Sequence, residues 1–556
     1  MVSWFFARIS TPIRGLHQAA YLLAALTLAS QVLALLRDRT FADAFGAGQT
    51  LDLYYAAFRI PDLVFALVSS LVSAYVIIPR ITGMDREWTR ELLSQSASFL
   101  FLVGGAFCVI LAIFMPTFLG LIYPDFASST RFGEFVLLAR LLLIQPILLG
   151  LSGVIASVTQ VHRRFVLFAL SPVLYNLGII AGTLILYPRW GLPGIGAGVV
   201  LGAVAYALVN LPVVISAGVL PRLVIPKIRA MLPVVRDSIP RSLALGMGSI
   251  TILILTAIAS RIGTGAVSVF TLAGNLEAVP LALIGSSYAV AAFPALSEAL
   301  QGNQRTEFTR ILSASSRHII LWSVVFLGLI AVLRAHVVRV IFGTGAFDWD
   351  ATRLTAALLA VLALGLVAQG LALLFSRALY AARQSWAPLA YQIAGGALSV
   401  ALALLFLLLP YEGLPSTFAS WLRIADVPGA PIVLVALAAS IGQIALALLS
   451  LAALAREAPG LTRSLTRPLF HGILAALAGG AAAYGILALA GDIAPLTTVL
   501  AVFTQGVLAG TVGLATSTLV LLALRNEELA DIVSALARLT GPKSVLPPSA
   551  DEPAQT

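Results

Sequence analysis

The chain has 556 residues, of which 60% are hydrophobic and 10% charged, and its mean hydropathy is +1.00. Ordinary soluble domains use about 45–50% apolar residues, so this balance excludes a soluble enzyme and indicates a polytopic membrane protein. The net charge of +10 does not indicate nucleic-acid binding, because the basic residues sit in short clusters between apolar runs with no continuous basic stripe.

The N-terminal residues MVSWFFARISTPIRGLHQ read as a short amphipathic lead-in to an uncleaved first helix, since the following apolar run reaches Leu36 without a small-residue cleavage site. A bilayer crossing needs about 20 apolar residues. On that ruler the spans fall at 18–36, 50–79, 93–115, 133–159, 165–187, 191–217, 238–260, 266–297, 311–333, 352–380, 387–410, 431–455, 468–490 and 495–524. The expected fold is all-α with about fourteen transmembrane helices. With the N-terminus inside, 23 of the 34 basic residues fall on inside segments, which favours cytoplasmic N- and C-termini.

Between the first two spans runs RDRTFADAFGAGQTLDLYYAAFRIPD, with Arg37, Asp38, Arg39, Asp43, Asp52, Arg59 and Asp62. An ionisable side chain at the bilayer centre costs about 2.5–3.5 kcal/mol on insertion scales, so these charges must avoid lipid. Asp52, Arg59 and Asp62 recur at helical spacing on one face, which should turn toward a polar cavity or a neighbouring helix. Local pairing is also expected: Arg37 or Arg39 with Asp52, and Arg59 with Asp62. FGAG (45–48) turns the chain at the outer surface, where Asp43 is hydrated.

Gly194, Gly198 and Gly202 recur at four-residue spacing in the sixth span, a signature of close helix contact. The following segment, 220–241, alternates apolar and basic residues and is broken by four prolines. It reads as an amphipathic linker on the inner leaflet joining two halves. Those halves look duplicated. IGTG (262–265) echoes FGAG, and Thr352-Arg353 echoes Thr130-Arg131 at an offset of 222. A repeated six-helix unit gives parallel repeats. The organisation expected is therefore an N-lobe (1–217), a linker (218–237), a C-lobe (238–456), two extra helices (457–525) and a cytoplasmic tail (526–556). In the eighth span the deep polar residues are Asn275 and Glu277, while Arg140 and Arg377 read as snorkelling near helix ends.

No toolkit of an enzyme accompanies these helices. Cys108 is the only cysteine, the five histidines are dispersed, and HExxH, CxxC and Walker A patterns are absent from the sequence, so neither metal nor cofactor is expected.

The lettering resembles the MurJ/MviN family, bacterial flippases for the lipid-linked peptidoglycan precursor lipid II. The likeness rests on SQVLALLRD (30–38), FGAGQTLDLYYAAFRIPDL (45–63), Pro79, FPALSEAL (293–300) and FGTGAF (342–347). It implies two six-helix lobes around a central cavity that opens alternately to either side, in the bacterial inner membrane. It also implies a polyprenyl diphosphate cargo held by Arg37 with Arg39 and Arg59, while Asp52 orients them or takes part in coupling. Asn275 and Glu277 complete the candidate site.

Gln31, Phe65-Ala66 and Asn275 stand where the family pattern carries arginines, and Ser70-Leu71 where it has Glu-Gly. Three readings follow: a lipid II flippase, a carrier of another polyprenyl-linked glycan or amphipathic lipid, and a transport-inactive scaffold for cell-wall synthesis proteins.

Overall fold

A computed structural model describes residues 16–72, 74–162, 164–410, 412–491 and 498–540. The expected lead-in before the first span and the end of the C-terminal tail lie outside them. Among the described residues the chain is entirely helical and contains no strand. The long helices are α1 (Leu16–Phe45), α2 (Gln49–Ile81), α3 (Arg86–Ile122), α4 (Phe132–Val161), α5 (Val166–Trp190), α6 (Leu192–Ser216) and α7 (Ile228–Ser260). They continue as α8 (Ala266–Gln301), α9 (Arg305–Phe342), the bent α10 (Trp349–Ala363 and Leu366–Ala381), α11 (Ala387–Leu408), α12 (Ile432–Glu457), α13 (Leu461–Ala490) and α14 (Val499–Ala523). Each occupies one of the fourteen expected spans. Twelve pass as single membrane-length helices among the described residues, and α10 does so as a pair bent by 47°. α1 has 30 residues, enough for a crossing.

The duplication is visible in the breaks. α4 is interrupted at Leu143 and α10 at Leu364 and Gly365, the same 222-residue offset that separates the Thr-Arg pairs. Within the first half, α5 and α6 cross so closely that a Cβ on Gly198 would lie 2.4 Å from the Gly182 Cα, and one on Gly178 2.4 Å from the Gly202 Cα. The glycine row in the sixth span therefore does what its spacing implies. Within the second half, α8 and α10 meet at Gly285 and Gly370, beside a π-turn at Ala282–Ser286. α13 and α14 pack on one another and on α9. The Ser517 hydroxyl donates to the Ala475 carbonyl across the α13–α14 contact.

Two segments outside the spans pack on the bundle. Residues 219–227, within the expected amphipathic linker, form no helix. Pro221 and Pro226 deny this stretch helical hydrogen bonding, and its backbone finds partners on the polar face of α3. The Arg222 amide donates to Ser94 Oγ (2.9 Å), the Val224 amide to Ser98 Oγ (2.9 Å) and the Lys227 amide to Gln95 Oε1 (2.7 Å). From Ile228 the chain is already the helix of the seventh span. The tail likewise begins as a docked helix, α15 (Glu527–Thr540), clamped when Glu527 meets Arg467 at 2.6 Å and Arg317 at 3.3 Å.

Gly198→Val tests the close crossing. Two backbones at van der Waals contact leave no room for a side chain, and overpacking of this kind costs about 1–3 kcal/mol. The detergent-solubilised variant should melt several degrees below wild type, whereas Gly274→Ala, where nothing lies within 4 Å of the new Cβ, should not.

Candidate functional site

Three glycine turns close one face of the molecule. Gly46 (φ +59°), Gly265 (φ +88°) and Gly345 (φ +57°) belong to the turns before α2, α8 and α10. A Cβ on Gly265 would sit 2.3 Å from the Ala47 carbonyl oxygen, and one on Gly46 2.5 Å from that of Ala346. Glycine is required here for both its left-handed backbone and its lack of a side chain. The Ala346 amide donates to the Asp43 carbonyl at 2.9 Å, and Asp43 itself is exposed as expected.

Asp52 locks this face. Its carboxylate accepts from the Gly265 amide (2.6 Å), the Ser268 amide (2.8 Å) and the Ser268 hydroxyl (2.5 Å). A side chain of α2 thus caps the start of α8, satisfying amides that a helix end leaves orphaned and facing its positive dipole end. The expected ion pair of Asp52 with Arg37 or Arg39 is not formed, because the α8 terminus supplies three donors instead. Asp52 is accordingly bound to the start of α8 and makes no hydrogen bond or ion pair with the arginines among the described residues.

Deeper in the bundle lies a layer of paired charges. Arg37 donates to Asp38 Oδ1 through Nε (2.9 Å) and Nη2 (2.7 Å), and to Asn176 Oδ1 of α5 at 3.0 Å. The other Asp38 oxygen accepts from Asn275 Nδ2 of α8 at 2.9 Å. Asp38 is 1% exposed and the Arg37 side chain 19%, so the acid is sealed while the arginine, all three of whose nitrogens are bonded, is not fully covered. Arg59 donates to the Thr271 hydroxyl of α8 at 2.9 Å, and not to Asp62. Asp62 is half-buried and makes no hydrogen bond among the described residues, although Arg59 remains within its electrostatic reach. The face carrying Asp52 and Arg59 therefore turns to a neighbouring helix, as its spacing implied. Tyr54, Tyr55 and Phe41 pack against one another beneath this layer.

Two of the expected residues point elsewhere. Arg39 donates to the Val340 carbonyl near the end of α9 at 2.6 Å, tying α1 to the other half. Glu277 is buried and accepts from Gln369 Nε2 of α10 at 2.6 Å. Gln369 in turn lines a cavity of about 470 Å³ inside the second half, with Arg241, Arg377, Gln392, Gln443 and Tyr380. Arg241 and Arg377 are the residues the sequence reading missed. Arg377, read from the sequence as an end residue, lines this cavity together with residues of α7, α8, α10, α11 and α12. A separate apolar groove of about 190 Å³, lined by Leu35, Leu276, Val279, Pro280, Leu283 and Phe326, begins one turn or less from Arg37 and Asn275.

No cluster of metal-binding side chains occurs among the described residues. The site offers charged and amide side chains that hold one another in ion pairs and hydrogen bonds.

An all-helical bundle of membrane-length helices in two halves, with buried charges at their junction, defines a membrane transporter of the two-lobed type. Solved structures agree on that fold. A lipid II flippase MurJ in an inward closed conformation superposes with TM-score 0.71 at 20% identity, covering 91% of this chain and all (100%) of that one. An inward-facing multidrug resistance MATE family transporter gives TM-score 0.63 at 16% identity, covering 80% of this chain and 99% of its own. The family model described as lipid II flippase MurJ matches residues 41–503, and the chain belongs to that family. Its relatives include the lipid II flippase MurJ of Burkholderia cenocepacia, 26% identical over 64% of this chain and 71% of that protein. A probable lipid II flippase MurJ of Rhizobium meliloti is also 26% identical, over 68% of this chain and 73% of its own. The family places the chain among multi-pass proteins of the bacterial inner membrane.

Asp52→Ala removes three hydrogen bonds to a carboxylate, each worth about 1.5–3 kcal/mol. In a Cys108→Ala background, a cysteine at the buried Ala266 should react with a membrane-impermeant maleimide at least about tenfold faster once Asp52 is alanine. Equal rates would show that Asp52 does not hold this face shut.

Proposed function

We propose that this protein moves a polyprenyl-diphosphate-linked cell-wall precursor, the lipid II class of cargo named for its relatives, across the inner membrane by alternating access. In this reading the two halves, 1–217 and 238–456, are the moving units, the extended strap within 218–237 joins them, and 457–525 lies outside the repeat. Both termini are cytoplasmic and the glycine-turn face is outward. The observation that carries the reading is Arg37, a guanidinium held by groups from α1 and α5 on a side chain 19% exposed, beside an apolar groove that begins at Leu35 and Leu276.

A diphosphate leaves water only against strong compensation, and charge-assisted hydrogen bonds from arginine supply it. As the anion binds, Arg37 trades Asp38 and Asn176 for phosphate oxygens. Asn275 stays with Asp38, so the exchange frees Arg37 from its first-half partners and leaves the Asp38–Asn275 bond as the polar link between the halves. The headgroup beyond the diphosphate has the second-half cavity available, where Arg241 and Arg377 add two positive charges and three glutamines offer amides.

One observation favours a second reading, a different anionic lipid-linked glycan. Arg37 and Arg59 of the first half each have a carboxylate nearby, Asp38 and Asp62, so that layer carries little net charge. Reconstitution into proteoliposomes with labelled lipid II and other polyprenyl-linked glycans separates the two. Preferential lipid II translocation supports the first, and preference for another glycan the second. No translocation of any cargo would leave the scaffold reading standing.

Within that assay, Arg37→Ala should lower the translocation rate at least about 100-fold, since it removes two charge-assisted contacts of about 1.5–3 kcal/mol each. Arg37→Lys, a point charge without the planar fork, should retain only part of the rate. Wild-type rates in Arg37→Ala would refute the mechanism.

A further inference from the structure

A second basic cavity, of about 560 Å³, opens on the glycine-turn face, far along the chain from the charge layer. It lies where the end of α9, the start of α10, the short helix Leu414–Trp421 and the end of α13 converge, and its walls include Arg334, Arg353, Arg423, Trp349, Trp421 and Tyr484. The three arginines are not equivalent. Arg353 is balanced, since its two Nη atoms reach Asp426 at 2.8 Å and 2.6 Å and the Asp426 carboxyl is held down at about 2 by that guanidinium. Arg334 donates only to the Ala331 carbonyl of its own helix, and the Arg423 side chain makes no hydrogen bond or ion pair among the described residues.

Arg334 and Arg423 nevertheless lie close enough to act on each other electrostatically. Two like charges converging on a concave surface, with no counter-ion between them among the described residues, repel, and an anion placed there removes the repulsion and gains charge-assisted hydrogen bonds. The aromatic side chains define the depth. Trp421 is 76% exposed and Tyr484 59%, amphipathic rings of the kind that settle at the headgroup level of a bilayer. Leu422 and Leu487 continue the wall below them.

We propose that Arg334 and Arg423 bind a phosphate group between them, and that this pocket takes the headgroup of an anionic phospholipid from the leaflet on the glycine-turn face. The lipid docks where α13, which lies outside the six-helix repeat, meets α9 and α10 of the second half. It is therefore placed to report leaflet composition to the second half without touching the Arg37 layer. The proposal holds whichever cargo the protein carries.

Native mass spectrometry of the purified full-length protein tests it, with dioleoylphosphatidylglycerol titrated against zwitterionic dioleoylphosphatidylcholine. Wild type should bind the anionic lipid at least about tenfold more tightly than Arg334→Gln/Arg423→Gln, with phosphatidylcholine binding unchanged. Arg423→Gln alone, at an exposed side chain with no side-chain partner among the described residues, should shift affinity in the same direction if the double variant folds poorly. Equal phosphatidylglycerol affinity in wild type and Arg423→Gln would overturn the site. Inorganic phosphate at millimolar concentration should not displace the lipid, and saturable displacement would overturn the headgroup assignment in favour of a free anion.

Discussion

A single carboxylate, Asp38, organises the charge layer. It is sealed from solvent, it takes two hydrogen bonds from Arg37, and it accepts from Asn275 across the junction of the two halves. An ion pair placed this deep is weak evidence for stability, because desolvation offsets most of the Coulomb attraction. In the proposed cycle its value lies in being exchangeable, with Asp38 left to Asn275 when an anion takes Arg37.

The rest of the junction follows from that layer. Asp52 closes the glycine-turn face by capping α8, Arg59 holds α8 through Thr271, and Arg39 holds the end of α9. Toward the opposite face α2 and α7 stay in contact through the Ser70–Ser242 hydroxyl pair (2.6 Å) and the Arg80–Asp237 ion pair (2.5 Å). One apolar core runs across the junction, joining Phe41, Leu51 and Ala56 of the first half to Val267, Leu272 and Phe342 of the second, and the polar contacts are set into it. Polar contacts of this kind can break and re-form singly, whereas packed cores move as units.

The helices were legible in the sequence because hydropathy is a local property: every expected span is occupied by a helix, and even the break in the tenth follows the internal repeat. The pairings were not legible. Helical spacing suggested Arg59 with Asp62, but the side chains chose partners about 200 residues away, as in Asp52 with Gly265 at a separation of 213. Arg37 with Asp38 escaped for another reason. Adjacent residues do not face each other on a helix, and only a long flexible side chain folds back to meet its neighbour. Arg241 and Arg377 sit near helix ends in the sequence, and only the tertiary fold shows that they share a cavity. The strap at 219–227 was hidden because its partners, Ser94, Gln95 and Ser98, look like any polar helix face.

The central claim is that the anion competes with Asp38 for Arg37. Asp38→Asn tests it most directly, since the amide oxygen can still accept from Asn275 while the competing charge is gone. Binding of lipid II to the purified variant should tighten by about tenfold or more relative to wild type, with slower release during turnover. Unchanged or weaker binding in Asp38→Asn would contradict the exchange.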